Sequence, residues 1–133
     1  MRKLLWILGL FLVQASFGQQ IDAKAKLINQ FIVLPDGGLE LISATSSDNH
    51  YVFNLTEKKG FENPAAGSEP FIIREFQKLE NGNYQLRIEN RDGKNDIQLL
   101  IDIHEKKLIF QLEVDAGTQL KIEYLLDELI LQE

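Results

Sequence analysis

The chain has 133 residues, 44% hydrophobic and 26% charged, which suits one globular core and is too short for two. It contains no Cys, so a disulfide framework, a thiolate metal site and a Cys nucleophile are all excluded. Its 20 Asp and Glu outnumber 14 Lys and Arg for a net charge of −6, and such a chain is repelled by phosphate backbones and anionic lipid.

The N-terminus has three parts. Met1-Arg2-Lys3 is basic, Leu4 to Val13 is an apolar run broken only by Gly9, and Ser16 and Gly18 are small residues at the alternate positions a signal peptidase reads. Residues 1–18 are therefore expected to be a cleaved secretory signal, with the cut between Gly18 and Gln19. A membrane-spanning helix needs about 20 apolar residues, roughly twice this run. No Cys follows the run to carry a lipoprotein anchor. Residues 19–133 are expected to form a single β domain with no transmembrane segment, exported to the periplasm or the exterior. Loss of Arg2 and Lys3 would leave 12 basic against 20 acidic residues. Export without Cys means that burial and sheet hydrogen bonds must hold the fold alone.

Residues 19 to 70 are less legible. Asp22 to Phe31 reads as a helix capped by Asp22, and Leu27 to Leu34 reads equally well as a strand. Pro35-Asp36-Gly37-Gly38 is a turn in both readings. Leu39 to Ala44 and Tyr51 to Leu55 have strand character, and Lys58 to Pro70, rich in Gly, Pro, Asn and Ala, reads as a loop.

From Phe71 onward the pattern is plain. Tyr84 to Asn90, Asp96 to Ile103, Leu108 to Val114 and Gln119 to Leu126 each alternate apolar and polar residues, the period of a half-buried strand. A two-residue turn at Asp92-Gly93 pairs Ile88 with Ile97, Leu86 with Leu99 and Tyr84 with Ile101. A four-residue turn at 104–107 pairs Ile101 with Phe110 and Leu99 with Leu112. A turn about Ala116-Gly117 pairs Val114 with Leu120 and Leu112 with Ile122. All three hairpins put their apolar side chains on one face, and a one-residue slip in any of them would turn that set outward. Glu89 and Asp96 then face each other as like charges. A three-residue turn at Asn81 to Asn83 aligns Phe76 with Ile88 and turns Arg74 inward. Tyr124 to Ile130 has the composition for a short terminal helix. No internal repeat stands out beyond the hairpin rhythm. The expected fold is all-β: a mainly antiparallel meander of seven or eight short strands, closed as a small barrel or stacked as a two-sheet sandwich.

Chemical motifs are sparse. His104-Glu105-Lys106-Lys107 lacks the second His of a helical zinc motif and reads as a hairpin tip. Ser46-Ser47-Asp48-Asn49-His50 holds the residue types of a hydrolase triad, but adjacent residues rarely reach triad geometry. Lys94 spoils the calcium-loop pattern of Asp92 to Asp96. No enzyme activity, cofactor or metal is expected. Two constellations stand out. An inward Arg74 beside Phe76 would suit a ligand carboxylate. Leu100 and Ile109, with Leu125, are apolar on the face that is otherwise polar, as a surface covered by the chain itself or by a partner would be. The leading expectation is an exported, non-enzymatic interaction module that meets another envelope or extracellular protein. The alternative is a small lipocalin-like carrier with an apolar ligand inside a barrel. Nucleic acid is not an expected partner.

Overall fold

The structure, a computed structural model, describes residues 19–64, 69–90, 95–115 and 117–132. The proposed leader and the Asp92-Gly93 turn lie outside the described residues.

Among the described residues, nine antiparallel strands form one sheet: β1 (Gln20–Val33), β2 (Leu39–Ser46), β3 (His50–Asn54), β4 (Lys59–Glu62), β5 (Phe71–Lys78), β6 (Tyr84–Ile88), β7 (Ile97–Asp102), β8 (Lys107–Asp115) and β9 (Thr118–Gln132). The order is β2-β1-β3-β4-β5-β6-β7-β8-β9, and β9 returns to pair with β1. Eight strands thus close a barrel, and β2 is an extra strand outside it. Closure removes most of the open sheet edge that a sandwich would keep.

The barrel interior is filled by alternate residues from its strands. Ile21, Phe53, Leu55, Ile73, Tyr84, Leu86, Leu99, Ile101 and Leu108 are all almost fully buried. Each such side chain contributes about 1.5–3 kcal/mol by leaving water. Tyr51 anchors an aromatic cluster, stacked 6.0 Å from Phe53 and tilted against Phe110 and Tyr124 at 5.5 and 5.3 Å.

The β6–β7 register is the expected one, with Ile88 opposite Ile97, Leu86 opposite Leu99 and Tyr84 opposite Ile101. The next two hairpins keep the expected faces but slide by two residues. Leu99 meets Phe110 and Ile101 meets Leu108. Leu112 meets Leu120 and Phe110 meets Ile122. Turn chemistry explains the first slide. The Asp102 carboxylate accepts from the N–H groups of His104 and Glu105 at 3.1 and 3.0 Å, and Lys106 takes a left-handed φ of 53°. The loop therefore spans 103–106, one residue earlier than expected. The second slide follows from a bulge at Val114, between Glu113 and Asp115.

β4 corrects the expectation of a loop over Lys58 to Pro70. Its turn repeats the design just described: Asn54 Oδ1 accepts from the N–H of Glu57 at 3.0 Å, and Lys58 has φ 57°. The two turns share a six-residue pattern. Asn54-Leu-Thr-Glu-Lys-Lys59 and Asp102-Ile-His-Glu-Lys-Lys107 each begin with Asx and end in Glu-Lys-Lys. That is an internal repeat, and it marks β4 in the sequence. Residues 22–31 and 124–130, each open to a helical reading, are strand throughout.

Among the described residues the seam between β4 and β5 is short: Lys59 pairs with Ile72 and Gly60 with Phe71, and the Ile73 N–H donates to Lys58 O at 2.9 Å. The Phe71 ring lies flat on Gly60, where a Cβ would sit 2.2 Å from the ring. Glycine is required there for that close approach.

Candidate interaction surface

β1 is longer than the barrel needs. Its first part, Gln20 to Lys24, pairs with β3, and its second part, Leu27 to Val33, pairs with β2. The partner changes at Ser47 to Asn49. Asn49 secures this joint: its backbone O accepts from the Ala25 N–H at 2.8 Å, and its side-chain amide donates to Tyr124 Oη at 3.2 Å. The Tyr51 hydroxyl donates to the same oxygen at 3.1 Å inside the barrel. Burial, reinforced by that hydrogen bond, holds the Tyr51 phenol far above its ordinary ionisation range. His50 Nε2 stands 2.5 Å from Asp22 Oδ1 on the neighbouring strand. The Ser46 to His50 run thus spans the change of partner between β2 and β3.

Beyond the joint the sheet continues past the barrel as an arm, β2-β1-β9-β8. Its outer face carries Leu27, Phe31 and Val33 from β1, with Leu39 and Leu41 from β2. Its inner face carries Ile32, Leu112 and Leu120 in one row, ending at Glu40. Leu27, Leu39, Leu41 and Ile42 are 42%, 46%, 55% and 49% exposed, far more than the barrel residues of the same types. These open apolar side chains lie side by side on one strand pair as an exposed patch.

The far side of β2 has no strand beside it among the described residues. Ser47 N–H donates to Lys26 O at 3.0 Å, and Leu34 N–H donates to Gly38 O at 2.8 Å. These two bonds fix the phase of the ladder on both sides of the β2 bulge at Ile42. Gly38, Glu40, Ser43, Thr45 and Ser47 turn their backbone groups toward β1. Leu39, Leu41, Ala44 and Ser46 turn theirs outward. Glu40 is the one charged residue of β2, and the strand contains neither Lys nor Pro.

Other stretches of edge carry more charge. Among the described residues, β5 beyond Ile73 pairs only with β6, and it carries Glu75, Lys78 and a bulge at Arg74. β9 beyond Leu126 pairs, among the described residues, only with β1, and it begins with Asp127 and Glu128 ahead of the exposed Ile130 and Leu131. Charges and bulges are the usual means of keeping an edge from pairing.

Arg74 does not point into the barrel. The bulge reverses the strand's facing, so Ile73 enters the core opposite Ile88 and Arg74 turns outward. Its guanidinium bridges Glu89 at 3.2 Å and Asp96 at 3.0 Å. Arg87 joins the group, 3.1 Å from both Glu75 and Asp96. The expected clash of Glu89 with Asp96 is the signal that called for this cation. Phe76 pairs with Leu86, not Ile88, because the β5–β6 loop runs from Leu79 to Asn83. Gly82, at φ 91°, takes the left-handed conformation that this loop needs. Phe76 is partly exposed beyond the short seam. Arg74 and Phe76 therefore form no common pocket.

Leu100 and Ile109 are cross-strand partners, both half-buried, and Ile109 faces Glu123 on its other side. Leu125 lies in the adjacent row, opposite Lys107 and Leu27. The three lead across the outer face toward the β1–β2 patch. The sequence pointed to the polar-side end of this surface and missed its centre on β1 and β2. The missed signal was Leu39-Glu-Leu-Ile, an apolar strand with almost no charge.

At the barrel mouth, Phe71, Ile88 and Ile97 floor an open depression of about 470 Å³ rimmed by Glu62, Glu69 and Glu89. Among the described residues, no three His, Asp or Glu side chains stand together as a metal site. His104 contacts the backbone O of Asn81 at 2.5 Å. No described helix is long and apolar enough to cross a membrane. No protein-family model matches the chain, and neither the curated proteins nor the solved structures include a match.

Proposed function

We propose that the chain is an exported, non-enzymatic interaction module whose working surface is the free edge of β2 with the apolar outer face beside it. The observation that carries this reading is an eight-residue edge with one charged side chain and three large apolar side chains each about half exposed. An added strand would gain the outward N–H and C=O groups as hydrogen-bond partners, and the neighbouring leucines would supply the buried area. The barrel serves as the rigid mount. Its interior is occupied by Phe53, Leu55, Leu86 and Leu99, which favours the surface over a ligand inside the barrel. Both histidines are engaged by structural partners, Asp22 and the Asn81 carbonyl. Export rests on the basic, apolar and small-residue layout of residues 1–18.

Photo-crosslinking in producing cells tests the surface. A photoreactive residue at position 41 is expected to capture a protein, and one at position 77 on β5 is not. Equal capture at both positions, or none at 41, overturns the proposal. Mass spectrometry of the chain from the cell envelope or medium tests export: the expected form starts at Gln19, and a form starting at Met1 overturns it.

A further inference from the structure

We infer that the occupant of the β2 edge is a second copy of this chain, paired antiparallel across a two-fold axis between Ile42 and Ser43; this rests on the interaction reading above. The bulge fixes the register, and the side chains opposed in that register favour a copy of the same strand. Leu39 and Leu41 direct their backbone groups outward on one side of Ile42, and Ala44 and Ser46 do so on the other. In an unbulged strand the outward groups would keep a single parity. Here the parity changes at the strand's midpoint. A two-fold axis at that point sets Leu39 against the partner's Ser46 and Leu41 against its Ala44. Every outward group then meets an outward group, and large side chains meet small ones. Glu40 faces Thr45 of the other copy, so the two Glu40 carboxylates stay apart. Centres displaced by half a residue set outward groups against inward ones, and those displaced by a whole residue leave Ser46 or Leu39 outside the pairing. A bulge commonly blunts an edge. Placed at the midpoint, it sets the register in which this edge pairs with itself.

The result is a continuous eight-stranded layer, β8-β9-β1-β2 and its symmetry mate, with the Leu39 and Leu41 patches of both copies adjoining on the outer face. The contact is isologous, so it closes as a dimer and does not propagate. One strand pair with its flanking leucines falls at the small end of specific interfaces, below about 1,200 Å² in total, so a concentration-dependent dimer is expected.

Sedimentation velocity of the purified chain over a concentration series should show a monomer–dimer equilibrium. Leu41→Lys and Ala44→Lys should each weaken it at least tenfold while leaving the circular dichroism melt in place. The register has its own test, since the chain has no Cys. Opposed residues of a hydrogen-bonded antiparallel pair lie about 5.5 Å apart at Cα, within disulfide range. A mixture of Leu41→Cys and Ala44→Cys chains should therefore cross-link on mild oxidation far better than either chain alone. A monomer at all concentrations, a dimer indifferent to both Lys variants, or preferential cross-linking of identical chains overturns the inference. If the chain stays monomeric while position 41 still captures a different protein, the dimer is overturned and the interaction reading stands. If position 41 captures nothing, both fall.

Discussion

The edges of β2 and β5 make an instructive pair. Both strands pair fully on one side and are open along most of the other. β5 meets solvent with Arg74, Glu75, Gln77 and Lys78, and its bulge sits where its partner β4 ends. β2 meets solvent with Leu39, Leu41, Ile42 and Ala44, and its bulge sits at the middle of the strand. The same device thus has opposite consequences. On β5 it spoils the ladder and recruits an ion-pair cluster. On β2 it leaves an edge whose two halves match under rotation. Location within the strand, and the charge around it, decide whether a bulge repels or receives a neighbour.

Four substitutions break or sharpen this contrast. The largest effect is expected from Gly60→Ala, which drives a methyl group into the Phe71 ring and loosens the seam that shelters β5. A loss of about 1–3 kcal/mol is expected in denaturant unfolding. Amide exchange should speed up in β4 and β5 and hold steady in β2; a uniform change would mean the two edges are not independent.

Tyr51→Phe probes the joint where β2 departs from the barrel. It removes the hydroxyl that donates to Tyr124, at a cost of about 1 kcal/mol near neutral pH. The pH dependence has a definite sign. In the fold the Tyr51 phenol ionises far above the ordinary value of 10.0, because it is buried and hydrogen-bonded to Tyr124. Its contribution is complete below the unfolded value and is lost as pH rises beyond about 10 toward the folded one. Wild-type stability should therefore fall more steeply above pH 10 than that of the variant. Parallel curves would show that Tyr51 ionises as freely in the fold as in the unfolded chain.

Arg74→Ala strips the guard from β5 and leaves Glu89 beside Asp96. Since Arg74 is largely exposed, a loss of about 0.5 kcal/mol is expected, shrinking as salt is added. A salt-independent loss would point to packing rather than charge. The smallest stability effect is expected from Leu41→Lys, within about 0.5 kcal/mol for the isolated chain, since its side chain is more than half exposed. A large loss of monomer stability would place Leu41 in the core of the fold and not on a receiving edge.

Much of the fold is legible in the amino-acid sequence. The faces of β6 to β9 follow from strict alternation, and the pairing of Ile88 with Ile97 and Leu86 with Leu99 follows from Asp92-Gly93. The later hairpins slid by two residues without exposing their apolar faces, because alternation specifies parity and leaves the loop length open. β4 was hidden among loop-forming residues, although the repeated Glu-Lys-Lys turn marks it. Of the candidate site, Leu100 and Ile109 were read correctly as apolar residues on the outer face. Arg74 was misplaced because a single bulge inverts everything that precedes it on β5.

Local chemistry, then, was enough to determine an antiparallel β protein with one apolar face, since side-chain alternation and turn residues act over only a few neighbours. Whether that face closed on itself, which strand stayed outside the closure, and where the bulges fell were settled only in three dimensions. Those outcomes depend on long β1 reaching β9 at one side while exchanging β3 for β2 at the other. No short-range pattern encodes a pairing between residues a hundred positions apart.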